Sequence, residues 1–450
     1  VREIRLHDTL TRELRPLAPR DGRRVGIYWC GPTVYNRVHV GNARPFVVYA
    51  QLARFLAHEG NDVTLVSNVT DINDKIYDAA RAAGRPSEEL AREMADHYVA
   101  DTDRLGLGRP DVEPTASGAM GSIVALIGTL VDSGHAYEAG GDVLFRVRSL
   151  PGYGALSRRD LGQMDQGEGI EGAERKEDPL DFALWKAEKP GEDTAWAAPW
   201  GRGRPGWHIE CSAMAEDALG LGFEIHGGGN DLIFPHHENE LAQTRAARGE
   251  GLAKIWMHVG MLQIGGDEKM SKSLGNVSTL ADVLDRVEPE VLVLYMSAGH
   301  YRQPIAFSGE RLEQAAGAVR RIRDAGRRLL SGPSPESLAR HREAFFDALA
   351  DDFNTARALA ALYAWIGEAN KLEDAPGDGD LREMLGVLGL ESLLARPESA
   401  PDDVVELAER RAAARVQRDW AEADRLRDEL HARGWEVRDG PEGPELVPAA

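Results

Sequence analysis

Arg24-Val25-Gly26-Ile27-Tyr28-Trp29 is a short apolar run that stops at Cys30-Gly31-Pro32, and its reading decides the fold. β-branched and aromatic residues bounded by glycine and proline describe a buried strand. A polar stretch then leads to His39-Val40-Gly41-Asn42, and residues 43–59 read as a helix with Pro45 tolerated in its first turn. Asp62–Ser67 reads as a second strand and closes a β-α-β unit. Such a unit binds nucleotides at the start of its helix, where free backbone N–H groups point at phosphate. Residues 111–204 are dense in glycine, proline and charge and read as an insertion, after which the core resumes at Trp207 and continues through Gly275. Beyond Arg311 the apolar spacing is helical, with breaks at 331–335, 374–380 and 396–403. The tail reads as two short helices (about 402–415 and 418–433) and a hairpin turning near Asp439-Gly440. The expected class is α/β: a Rossmann-like parallel-sheet core with an insertion, followed by an α-helical bundle and a small mixed α/β C-terminal module.

A chain of 450 residues argues for several domains, and 42% hydrophobic with 28% charged residues fits a globular protein. No apolar run is long enough to span a bilayer and the N-terminal stretch has no signal-like apolar segment, so a cytoplasmic protein without membrane contact is expected. A net charge of −21 argues against indiscriminate coating of nucleic acid. A local contact remains open: residues 311–330 carry Arg311, Arg320, Arg321, Arg323, Arg327 and Arg328 against Glu313 and Asp324. A charge run by itself reads equally as a solvated helix face.

Positive charge is written almost entirely as arginine. Only eight of the 53 basic residues are lysine, and two of these fall in Lys269-Met270-Ser271-Lys272-Ser273, flanked by Gly265, Gly266 and Gly275. A lysine ammonium on a flexible stem suits a phosphate on which charge develops, and the glycines suit a loop over a ligand. Gly41 allows close backbone approach, while His39 and Asn42 can donate to phosphate oxygens; the plainer alternative makes Asn42 the helix N-cap. His226-Gly227-Gly228-Gly229-Asn230-Asp231 reads as a loop following a strand at residues 222–225. Its glycines could lie against a ring or ribose, and Asp231 could hold a hydroxyl or an ammonium.

Cys30 and Cys211 are the two cysteines. A disulfide is disfavoured, leaving two buried thiols or two metal thiolates. His236 and Glu240 lie four apart, on one face of a helix starting after Pro235, and with two thiolates they form a reasonable zinc set. The order is not H-E-x-x-H, which disfavours a zinc protease. A polar helix start with Glu238 and Glu240 complementing the dipole is the competing reading.

Taken together, Cys30, His39–Asn42 and Lys269–Ser273 in this order resemble the class I aminoacyl-tRNA synthetases. Trp207-His208-Ile209-Glu210-Cys211, the triple glycine, the 234–240 segment, Asn68-Val69-Thr70-Asp71 and Asp351-Asp352-Phe353-Asn354-Thr355 narrow the resemblance to the cysteinyl-tRNA synthetase family. It implies a cysteine–tRNA ligase that forms cysteinyl-adenylate from ATP. It implies one Zn2+ per chain held by Cys30, Cys211, His236 and Glu240, and Mg2+ with ATP. His39, Asn42, Lys269 and Lys272 are the implied catalytic residues; Gly41, Gly228 and Ser271 join them around ATP. Gly31, Thr70, Trp207 and Asp231 are implied around the substrate cysteine. Asn42 departs from the histidine often found at that position in class I. The implied partners are ATP, L-cysteine and the cysteine tRNA, with a monomeric chain. The implied domains are a catalytic domain at 1–310, with the insertion at 111–204 and the lysine loop and stem-contact region at 265–310. A tRNA-contacting bundle at 311–397 and an anticodon module at 398–450 follow.

A thiol-selective metal suits the implied chemistry. A pocket sensing size alone separates cysteine from its neighbours by only ~1–3 kcal/mol, whereas zinc prefers thiolate to hydroxyl. Two rivals remain. A cysteine ligase of thiol-cofactor synthesis on the same core would lack the tail. A non-catalytic RNA binder with a structural zinc would not need both ATP signatures.

Overall fold

The computed structural model describes residues 2–164, 166, 173–264, 279–395, 400–440 and 443–448. Two compact units result, Val1–Leu393 and Leu394–Ala450. At the centre of the first lies a four-stranded parallel sheet in the order Ala253–Val259, Phe223–Gly229, Arg24–Trp29, Asp62–Ser67. Its register pairs Ile225 with both Ile255 and Ile27, and Trp29 with Ser67. From Arg24–Trp29 the chain goes first to one neighbour and much later to the other. The order therefore reverses between Arg24–Trp29 and Phe223–Gly229, which is where an open parallel sheet leaves a crevice at its carboxyl ends.

The helix Ala43–His58 packs on this sheet. Tyr49 stacks on Trp29 with ring centroids 5.8 Å apart, and its hydroxyl donates to Met257 O and accepts from Gly228 N, both at 2.8 Å. That hydroxyl occupies the space a Cβ on Gly227 would need, 1.9 Å away. The triple glycine is therefore not a loop. It completes the strand Phe223–Gly229, because the tyrosine and its neighbours fill the positions side chains would take.

The insertion has its own order: a helix Met120–Asp132 and a five-stranded antiparallel sheet of Ala136–Ala139, Asp142–Phe145, Phe182–Ala187, Gly201–Pro205 and Trp196–Ala198. Its core joins Ile123, Leu126, Ile127 and Leu130 to Phe145, Phe182 and Trp185, and reaches Ile209, Ala213 and Phe234 beside the central sheet. The helices Gly309–Arg328, Ala339–Ala350, Thr355–Ala369 and Gly379–Leu388 belong to the same unit. Leu312, Ala315, Val319 and Ile322 make the buried stripe of the first. Its arginines are not all free for a partner: Arg323 pairs with Glu288 at 2.6 Å, Arg327 with Asp324 at 2.9 Å, and Arg321 lies over the Tyr363 ring.

Asp352 fastens these helices to the core. Its carboxylate accepts from His7 N (2.9 Å), Tyr301 Oη (2.8 Å) and the Arg302 guanidinium. Asp352 and Phe353 both have positive φ, 62° and 45°, a turn that needs such fixing for non-glycine residues. Burial raises the Asp352 carboxyl, but the donors from His300, His7, Tyr301 and Arg302 outweigh it and hold the pKa at about 2.

In the second unit, Asp402–Val416 and Trp420–Ala432 pack through Val404, Leu407, Ala408, Leu426 and Leu430. A hairpin of Trp435–Gly440 with Gly443–Pro448 follows, pairing Gly440 with Gly443, so the chain turns just after the expected point.

Candidate functional site

Cys30 directly follows the Arg24–Trp29 strand, and its N–H donates to Gly227 O of the adjoining strand at 2.9 Å. This pins the residue in the crevice at the carboxyl ends of the sheet. Cys211 comes from the first turns of the helix Trp207–Leu219. His236 lies in the first turn after a kink at Phe234, continuous with the helix Glu238–Arg248 that carries Glu240. The chain kinks at Phe234 (φ −141°, ψ 132°) and is helical from Pro235 on, so the helix starts where expected and the four-residue spacing sets His236 Nε2 3.0 Å from Glu240 Oε1.

All four side chains are buried, and one ligand atom from each lies within 4.8 Å of the others. Glu240 Oε1 is 3.4 Å from Cys30 Sγ and 3.0 Å from His236 Nε2, while Oε2 sits 2.8 Å from His226 Nε2. Cys30 also falls in a second set with His226, His237 and Glu240. The first set is the better donor set. It contributes two sulfurs, whereas His226 is engaged at both nitrogens, by Glu240 and by Tyr28 O at 3.3 Å.

Charge in this cluster is already sorted. A hydrogen bond from Cys30 and the nearby His236 bring the Cys211 thiol down to about 6, while burial and Cys211 push Cys30 well up. Burial opposes protonation of His236, yet Glu240 and Cys211 raise it to about 10. Burial likewise opposes ionisation of Glu240, but His226 and His236 hold it well below the usual carboxylate range. Nε2 of His236 and Nε2 of His237 are buried with no satisfactory hydrogen bond. Unsatisfied imidazole nitrogens, two sulfurs and a carboxylate in dry protein fit an ion of the zinc class. Second contacts orient the donors: His208 Nδ1 is 3.0 Å from His236 Nδ1, and His226 holds the outer oxygen of Glu240.

Around this set, the Trp207 ring stacks on His236 with centroids 4.4 Å apart. Gly31 N donates to Asn68 Oδ1 (3.0 Å) and Asn68 Nδ2 to Thr70 Oγ1 (3.1 Å), so one amide joins both residues next to Cys30. A Cβ on Gly31 would stand 1.9 Å from Asn68 O, which restricts the position to glycine. Gly228 lies against His237, and its N–H is taken by Tyr49. Asp231 is exposed, its carboxylate folded back over Gly229.

His39 and Asn42 are exposed on the turn that opens the helix Ala43–His58, at the same end of the sheet. The Asn42 side chain makes no capping bond; His39 does that work, Nδ1 accepting from Gly41 N at 3.1 Å. Burial lowers the His39 pKa. A neutral ring whose Nδ1 accepts carries its proton on Nε2, leaving a donor for a ligand. Lys269, Ser271 and Lys272 lie outside the described residues. Sequence reasoning did not find the roles of Asn68, His226, His237 or His208. All four stood within quoted motifs, but only tertiary packing assigns their partners.

Comparison with known proteins agrees along the whole chain. Residues 16–317 match the tRNA synthetases class I (C) catalytic domain, 344–391 the DALR domain, and 398–444 the cysteinyl-tRNA ligase anticodon binding domain. The chain is 45% identical over 455 residues to the Cysteine--tRNA ligase of Pseudomonas paraeruginosa, covering 98% of each. It is 41% identical over 463 residues to that of Caldicellulosiruptor saccharolyticus, covering 98% of this chain and 99% of the other. Among solved structures, Mycobacterium tuberculosis methionyl-tRNA synthetase in complex with methionyl-adenylate aligns with a TM-score of 0.59 at 16% identity, over 81% of this chain and 88% of the other. A putative arginyl-tRNA synthetase from Campylobacter jejuni aligns at 0.54 and 13%, over 83% and 92%. These two share the fold.

Proposed function

The chain belongs to the cysteine–tRNA ligase family of class I aminoacyl-tRNA ligases, and on that premise we propose that it activates L-cysteine with ATP and passes it to the terminal adenosine of the cysteine tRNA. The observation that carries this reading is the buried set of Cys30, Cys211, His236 and Glu240 at the switch point of the sheet. Zinc held by these four residues would favour a substrate thiolate over a hydroxyl.

The protein's own side chains position and neutralise. Trp207, stacked on His236, and the Gly31–Asn68–Thr70 bridge wall the amino-acid pocket, with Asp231 at its rim. A carboxylate oxygen of cysteine attacks the α-phosphorus of ATP, which arrives with Mg2+. The new P–O bond forms as the bond to the β-phosphate oxygen breaks, and pyrophosphate leaves with the electron pair. His39 Nε2 and the Asn42 amide donate to phosphate oxygens, Gly41 allows the close approach, and Lys269, Ser271 and Lys272 follow the departing pyrophosphate. The terminal ribose hydroxyl of the tRNA then attacks the adenylate carbonyl, losing its proton, and AMP departs. No side-chain nucleophile enters either step. The helices at 311–397 contact the tRNA and the module at 398–450 reads its anticodon, in a chain that works as a cytoplasmic monomer.

Two assays test the reading together: cysteine-dependent ATP–pyrophosphate exchange and charging of cysteine tRNA. Both activities are expected. Exchange without charging would favour a ligase that joins cysteine to a small acceptor, and neither would leave a binding protein.

A further inference from the structure

Between the candidate ligands His236 and Glu240 stand Glu238 and Asn239, both buried. Neither side chain faces the metal set; each reaches into the insertion. Glu238 Oε1 accepts from Gly154 N at 2.9 Å and Oε2 from Ser157 N at 2.7 Å, so the carboxylate grips two backbone amides of one turn. Asn239 closes a triangle: its Oδ1 accepts from Tyr153 Oη, its Nδ2 donates to Gln166 Oε1 (3.0 Å), and Gln166 Nε2 donates to Tyr153 Oη (2.8 Å). The insertion also holds the other ligand-bearing helix. Gly206 N donates to Leu184 O at 2.8 Å immediately before Trp207, and the Phe182 ring meets His208 edge-on at 5.7 Å.

We infer that the insertion is the outer wall of the metal centre, with Glu238 and Asn239 as positioning residues that set the orientation of His236 and Glu240. The inference rests on the metal reading given above. Its physical basis is the charge-assisted grip of a buried carboxylate on two amides and the fully paired amide–phenol–amide triangle beside it. Groups that orient ligands change metal affinity by about 10–100-fold when removed. This gives residues 111–204 a task within amino-acid selection.

The test uses the full chain and three variants: Glu238→Gln, Tyr153→Phe and, as control, Glu216→Gln. Glu216 pairs with Arg248 (3.0 Å), joining the same two helices away from the ligands. Zinc affinity is read by chelator competition, ligand geometry by the visible spectrum of the cobalt-substituted protein, and folding by thermal unfolding. Glu238→Gln is expected to weaken zinc ~10–100-fold and shift the cobalt bands. Tyr153→Phe, which keeps the packing and touches no ligand, should do the same by several-fold, and Glu216→Gln should leave affinity and spectrum unchanged. Unaltered zinc affinity and cobalt bands in a folded Tyr153→Phe or Glu238→Gln chain would overturn the inference, as would a control variant that loses zinc equally. A wild-type chain that takes up no zinc would instead overturn the metal reading itself.

Discussion

The proposed metal set and the proposed phosphate-binding turn lie at the same end of one sheet but are built differently. Cys30, Cys211, His236 and Glu240 are buried, with ligand atoms gathered within 4.8 Å of one another, and held by further residues around them. His39, Asn42 and Asp231 are exposed, and the His39 ring is held by the bond from Gly41 N. The difference follows from the two tasks. On the proposed reading, choosing cysteine requires donors placed in advance, whereas ATP and pyrophosphate must enter and leave.

Lys272→Ala is the severest test of this contrast. It should lower adenylate formation about 10²–10³-fold, as loss of a charge-stabilising donor does, with cysteine binding unchanged; parallel losses would merge the two regions into one. Asp352→Asn should remove stability while leaving both regions intact. The carboxyl titrates near 2 in the folded protein against roughly 3.9 unfolded, so its contribution of about 2 kcal/mol is present above the unfolded value. It is lost as pH falls from about 4 towards 2. Thermal unfolding of wild type and variant should therefore differ at neutral pH and converge at the acid end, with cysteine-dependent exchange unaltered at pH 7. Trp207→Leu should be mildest: losing a ring stacked on His236 costs about 1 kcal/mol. That appears as a ~5-fold rise in KM for cysteine with KM for ATP unmoved.

Some of this was legible in the chain. The β-α-β unit could be read because an apolar run, a proline-bearing helix start and a second apolar run follow in order, and each element forms from its own residues. The pairing of His236 with Glu240 was readable from their four-residue spacing, whereas the convergence of Cys30 and Cys211 on them was readable only as a donor set and through a family resemblance. The triple glycine misled, since glycine suggests a loop. Tyr49, far away in sequence, takes the space beside Gly227 and makes a strand. The antiparallel sheet of the insertion was hidden by strands as short as Trp196–Ala198 set among glycine and charge. Glu238 reads as an ordinary helix-start carboxylate; its partners are amides 84 and 81 residues upstream.

The most direct test of the central claim is metal content and amino-acid preference measured together on wild type and Cys211→Ser. Wild type should carry about one zinc and support ATP–pyrophosphate exchange with cysteine but not serine. The variant should lose the metal, and its preference should fall to the ~10–200-fold that size alone supplies. A Cys211→Ser chain that is free of zinc and still as selective as wild type would contradict the account.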